Sequence, residues 1–368
     1  MNPLHSKLAR LCAANGPMTL GEYMHACLAD PGHGYYATRD SIAATDGTSA
    51  TAGDFITAPE VSQMFGELIG VWCVDTWHKL GRPSPFCLAE LGPGRGRMMQ
   101  DMLRAASLDP EFLRSARVVL VETSEKLRAI QASALKPLGH SISWVNSIEA
   151  LPDMPTLIVA NEFLDAIPFR QFVKQGGLWR EVGVNFGEDG IAMTALATTV
   201  DPALLPEGAA SEPEGSVFEY APAREALAQT LAQRISARKG AILLIDYGHF
   251  RSGFGDTFQA VRNHASSDPF SAPGECDLTS HVDFERIASA LAAGCDCAVH
   301  PSSQGDFLLN LGLLERAGAL GAPHPDAVRA RIRSEVERLA APSQMGELFK
   351  VLAISCPEIE MAGFDNPN

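Results

Sequence analysis

The run Leu88 to Gly96, LAELGPGRG, sets a short apolar stretch against a turn with glycine at 92, 94 and 96. The helical pattern RMMQDMLRAA follows it, so the segment is predicted to be a strand, a turn and a helix of an α/β sheet. Glycine admits positive φ and lets backbone N–H groups approach a ligand, and ligands of open α/β sheets lie beyond the carboxyl ends of the strands. Glu90 brings a carboxylate to that exit. A dinucleotide fingerprint would read GxGxxG, whereas here Arg97 and Met98 follow the last glycine, which turns the reading toward S-adenosylmethionine.

The rest of the chain supports the same class. Strands are expected at 87–91, 117–121, 142–145, 156–160 and 241–248, with helices at 95–107 and 124–135 among them. This alternation predicts a mostly parallel sheet with helices on both faces. Two helices are read within residues 3–30, the second opened by the capping box Thr19 and Glu22, followed by a polar loop from Tyr35 to Gly53 and a helix from Val61 to Leu80. After Pro168 the runs QFV, WREVGVNF and IAMTAL, separated by QGG and GEDG, read as an inserted antiparallel meander able to cover a site. A linker at 201–216 leads to a helix at 222–238. Beyond the strand at 241–248 come a helix at 282–293, a strand near 296–299, helical segments over 305–340 and a last strand near 347–354. The expected divisions are an N-terminal helical cap and pocket loop (1–80), a first part of the sheet domain (81–168), the insertion with its helix (169–238) and the remainder (239–368).

With 368 residues, 46% of them hydrophobic, the chain can bury a large core. Its net charge of -15 and the lack of a basic stripe exclude a nucleic-acid partner as a reading. No 18-residue apolar stretch occurs and no apolar run follows Lys7 and Arg10, so a cytoplasmic setting is expected. The eight cysteines form no CxxC pair. Neither a disulfide framework nor a metal site is expected, and Cys295 and Cys297, with His300 close by, read as buried packing.

Glu122 ends the second strand, where a carboxylate can accept from both hydroxyls of a ribose or cap the helix after it. Ser147 and Ile148 follow the third strand, where a loop can contact an adenine. The run TLIVANEFLDAIPF, 156–169, releases Asn161, Glu162 and Asp165 as the fourth strand leaves the sheet beside the first, at the switch point. Two carboxylates there suit the rigid fork of a guanidinium, although helix capping by Asn161 also accounts for them. GDFITAPEVSQMFGE, 53–67, offers Asp54, Phe55, Thr57, Pro59, Glu60 and Gln63, which local turn chemistry can also explain. Asp246 leaves the fifth strand, and His264 and His281 flank the turn-rich loop after it.

Taken in order, GDFITAPEVSQMFGE, LAELGPGRG, IVANEFLDAIPF, LLIDYG and GECDLTSHVDF closely resemble the MidA-like methyltransferases, a family that includes a mitochondrial complex I assembly factor methylating an arginine. The resemblance spans nearly the whole chain. It implies a class I methyltransferase sheet, S-adenosyl-L-methionine as cofactor and a protein substrate, with a respiratory complex I subunit as the implied partner. It further implies Gly92 and Gly94 at the cofactor's methionine part, with Gly96 closing the same cofactor-binding turn, Glu122 on its ribose, and Asn161 and Glu162 near the reacting methyl. Asp54 to Gln63 then become part of the pocket. Two other readings stand beside it: a small-molecule O- or N-methyltransferase, and an assembly chaperone that binds the cofactor without catalysis.

Overall fold

The computed structural model describes residues 2–38, 57–187, 190–262 and 265–364. They form two compact units, each drawn from three stretches of chain. One comprises residues 57–164, 225–250 and 282–368, and the other residues 1–56, 165–224 and 251–281.

The first unit holds the central sheet. Its strands are β1 (Phe86–Leu91), β2 (Ala116–Val121), β3 (Ile142–Val145), β4 (Thr156–Asn161), β5 (Gly240–His249), β6 (Val299–Ser303) and β7 (Phe349–Cys356). Their spatial order is β6-β7-β5-β4-β1-β2-β3. β1 to β5 are parallel and β7 runs antiparallel between β5 and β6. β1, β4 and most of β5 are buried on both faces, which is why they read as continuous apolar runs rather than alternating ones. The sheet expected from the alternation of strands and helices is thus the sheet that forms. Helix α1 (Gln63–Lys79) is capped by the Ser62 side chain, which accepts from the Met64 N–H. It lies close against α2 (Arg97–Ala106): a Cβ on Gly66 would stand 2.7 Å from Asp101 Cβ, and one on Gly70 would stand 2.7 Å from the Met102 carbonyl oxygen. Two small residues one helical turn apart let the backbones approach, and that contact fixes the helix that follows the glycine turn.

In the second unit the helices Pro3–Asn15 and Leu20–Ala29 pack through Leu4, Leu8, Tyr23 and Met24 on Phe169, Val184 and Leu278. The capping box read from Thr19 and Glu22 is formed. The antiparallel strands Arg170–Gln175, Leu178–Gly187, Gly190–Thr199 and Val217–Tyr220 make the expected meander. Arg224 is buried and donates to the carbonyls of Asp165, Ile167 and His281 and to Ser280 Oγ, at 2.6–3.2 Å. Arg224→Met strands those acceptors in the interior and is expected to cost about 3 kcal/mol in urea unfolding; a loss below about 1 kcal/mol would contradict this role.

Some expectations need correction. Helix α1 belongs to the sheet unit rather than to an N-terminal segment 1–80, because Met64, Phe65, Leu68 and Trp72 join the sheet's core. Helix α4 (Pro222–Arg238) likewise joins that unit from Glu225, not the insertion 169–238. Residues 251–281, expected with 239–368 and from 264 onward as loop, fold in the other unit and contain a three-stranded antiparallel sheet of Gln259–Arg262, Ala265–Ser267 and Asp277–Thr279. Strands of three or four residues are too short to show a period of two. The strand expected near 296–299 is β6, which starts at Val299.

Candidate functional site

The carboxyl ends of β2, β1, β4 and β5 lie side by side, with Leu91 opposite both Val121 and Ala160, and Ile245 opposite Asn161. The chain order reverses between β1 and β4, so the glycine turn and the Asn161–Glu162 exit share the switch point of the sheet.

Gly92, Gly94 and Gly96 all have positive φ, at 61°, 52° and 80°. They are not equivalent. A Cβ on Gly92 would stand 2.6 Å from the ring of Phe163, and one on Gly96 would touch Gln131 at 3.5 Å, whereas nothing lies within 4 Å of one on Gly94. Gly92 is therefore packed, and Gly94 faces open space. The Gly96 N–H closes the turn on the Pro93 carbonyl at 2.7 Å.

Glu122 is buried, which pushes its carboxyl above the usual carboxylate range. One oxygen accepts from the Ser124 N–H at 2.8 Å and the other from Gln131 Nε2 at 3.1 Å. The helix cap itself is Ser124, at the start of α3 (Glu125–Leu135). Gln131, fully buried, also donates to the Gly94 carbonyl at 2.8 Å and accepts from Trp144 Nε1 at 2.8 Å. It ties the turn to the acid at the end of β2. Sequence reading missed it, because a glutamine inside a polar helix carries no local signal. Ser147 is half-buried and Ile148 buried, at the start of a short 3-10 turn after β3.

At the exit of β4, Glu162 has φ of 50°, a conformation that costs a residue with a Cβ about 1–2 kcal/mol and is kept only where surroundings hold it. Among the described residues, three contacts help hold it: its N–H donates to the Ile245 carbonyl at 2.9 Å, and its Oε1 accepts from Asn161 Nδ2 at 2.9 Å and from the Ala58 N–H at 3.2 Å. Asn161 Oδ1 is buried with no hydrogen-bond partner among the described residues. The Ala58 contact brings in the short helix Ala58–Val61, which places Thr57 at its N-cap, Pro59 buried, Glu60 exposed and Gln63 at the start of α1. That part of the 53–67 segment therefore meets the β4 exit in the fold. Asp54, Phe55 and His264 lie outside the described residues.

Two acids are placed differently from the sequence reading. Asp246 is fully buried, and its oxygens accept from the N–H groups of Phe163, Leu164 and Tyr247 at 2.9–3.1 Å. Its described bonds pin the backbone after Glu162. Glu90 is 2% exposed, because the period of two puts it on the face of Leu88, which α1 and α2 cover. It does not stand open at the strand exit. Burial raises its pKa from 4.5 to about 8, only partly offset by the Met99 N–H. Below about pH 4.5 the carboxyl is protonated folded or unfolded, and its burial costs little. Between 4.5 and about 8 folding takes up a proton, so stability falls as pH rises, and above 8 the full penalty is present. Relative to the parent, Glu90→Gln is expected to gain in Tm from pH 4 to pH 9; a constant difference across that range would count against it.

In the second unit, Asp165 is buried, with Oδ1 on the Ala166 N–H at 2.8 Å and its carbonyl held by Arg224. His281 is half-buried, and its N–H donates to Thr257 Oγ1 at 2.9 Å.

Residues 68–302 match a family of S-adenosyl-L-methionine-dependent methyltransferases. The chain is 33% identical over 369 residues to the mitochondrial protein arginine methyltransferase NDUFAF7 of Danio rerio, covering 94% of this chain and 85% of that one. It is also 33% identical to its Homo sapiens counterpart, covering 96% and 83%. A crystal structure from Burkholderia thailandensis bound to S-adenosyl-homocysteine aligns with a TM-score of 0.78 at 26% identity, covering 99% of this chain and 92% of that one. A native structure from the same organism aligns at 0.79 and 28%, with the same coverage.

Proposed function

Since the chain belongs to this family of S-adenosyl-L-methionine-dependent methyltransferases, we propose that it methylates an arginine side chain of a protein, a respiratory complex I subunit being the candidate, in the cytoplasm. The observation that carries the reading is the Asn161–Glu162 pair, a carboxylate fixed in a strained conformation at the switch point beside an open glycine. The relatives named as protein arginine methyltransferases support the choice of acceptor.

The residues present fit the cofactor. Asn161 Oδ1 is a buried acceptor with no partner among the described residues, suited to an ammonium group, and Gly94 leaves room for a close approach. Of the roughly four acceptor sites of the Glu122 carboxylate, the Ser124 and Thr123 N–H groups and Gln131 take three, and the last can take a ribose hydroxyl. Ser147 and Ile148 would border the adenine. When bound, the cofactor supplies an electrophilic methyl on a positively charged sulfur. Glu162 would accept hydrogen bonds from the guanidinium, orient one of its nitrogens and take the proton that nitrogen loses on gaining the methyl, whose bond to sulfur is the one broken, leaving a neutral thioether. No helix among the described residues is long and apolar enough to cross a membrane.

The test supplies purified protein and methyl-labelled cofactor to isolated complex I subunits. An arginine-containing peptide heavier by one or two methyl groups supports the proposal. Label found only in small molecules, or in no product, overturns it.

A further inference from the structure

Eight cysteines are free in the structure, and three of them, far apart in sequence, come together. Helix α5 (Phe284–Gly294) ends on Cys295, whose N–H caps it by donating to the Leu291 carbonyl. A tight turn follows, in which the Cys297 N–H donates to the Cys295 carbonyl at 2.8 Å. Cys356 is the last residue of β7 and pairs with Gly240, the first residue of β5. The three Sγ atoms all lie within 4.8 Å of one another, with Cys295 buried and the other two half-buried.

We propose that Cys295, Cys297 and Cys356 bind a zinc ion. Thiolates at about 2.3 Å from zinc stand about 3.8 Å apart in a tetrahedral site, so small side-chain adjustments bring the three sulfurs to their places. A disulfide would draw only two of them to about 2.05 Å and leave the third unused. A water completes the tetrahedral site, and Glu358 is the carboxylate nearest in the chain to Cys356. Its Oε2 accepts from the N–H of Ala298, next to Cys297, at 3.4 Å. As each S–Zn bond forms, the thiol gives its proton to solvent, and no electron changes hands. The ion would join the turn after α5 to the end of β7. Gly240 and Thr156 are paired there, at the edge of the sheet where β4 and β5 begin, whereas Asn161 and Glu162 lie at the other end of β4. The site is therefore separate from the cofactor-binding edge.

The test uses the full chain, purified with a phosphine reductant, loaded with zinc chloride and desalted. About one zinc per chain should be retained against a metal-indicator chelator, and cobalt(II) loading should produce a thiolate charge-transfer band. Zinc should raise the Tm of the parent. Cys297→Ser and Cys356→Ser should each bind at least about 100-fold more weakly, beyond the effect of losing an outer-shell contact, while keeping cofactor affinity. No retained zinc, no thiolate band in the cobalt-loaded parent, or equal retention by a chain carrying both Cys297→Ser and Cys356→Ser each overturns the proposal. So does a disulfide that forms in the reduced chain on air exposure without any metal uptake.

Discussion

Glu162→Gln is expected to lower kcat/KM for arginine methylation by about 100- to 1,000-fold, the scale on which removing one preorganised electrostatic partner acts. The substitution keeps the side chain's shape, so the contacts with the Ala58 N–H and with Asn161 can be largely retained. What it removes is the charge that holds a guanidinium and the base that takes its proton. Cofactor affinity should change by less than about threefold, because Gly94, Glu122 and Gln131 are untouched. Equilibrium binding of the cofactor and steady-state methylation, measured on one preparation, separate the two effects. Methylation within about threefold of the parent would remove Glu162 from the chemistry.

The glycine turn yields the second large effect, through a contrast. In Gly92→Ala, the new Cβ meets Phe163 at 2.6 Å in a backbone whose φ is 61°. Left-handed strain of about 1–2 kcal/mol and overpacking of about 1–3 kcal/mol both oppose folding. The variant should lose roughly 2–5 kcal/mol of stability in denaturant unfolding, together with cofactor binding. Gly94→Ala carries the conformational cost alone, since its Cβ meets nothing within 4 Å. It should lose only that strain of about 1–2 kcal/mol but weaken the cofactor by about tenfold or more, by occupying the space the ligand needs. Cofactor binding at parental strength in Gly94→Ala would show that the open face of the turn is not the binding face.

The parallel strands were legible because a strand buried on both faces needs a continuous apolar run, and LLID in β5 and TLIVAN in β4 can hardly be anything else. The Gly92–Gly96 turn and the exit at Asn161 were legible for a related reason: each follows such a strand directly. Glu90 misled because its position in the chain, last but one in the strand, says that it is near the exit but not which face it takes once α1 and α2 have packed. Asp246 misled likewise. It stands beside the Glu162 loop and serves that loop's backbone amides.

Sequence alone determined what rests on neighbours along the chain: the order of strands and helices, the capping box at Thr19, the positive-φ turn that only glycine occupies freely, and the family to which these segments belong. Tertiary structure decided what rests on residues distant in sequence. It set Gln131 between Glu122 and Gly94, placed the Ala58 N–H on Glu162, gathered three carbonyls on Arg224 and brought Cys356 to Cys295 and Cys297. The physical reason is that local conformation follows from short-range sterics and hydrogen bonding. A buried polar group instead takes whichever partner the packed chain brings within reach, and no local pattern specifies that partner.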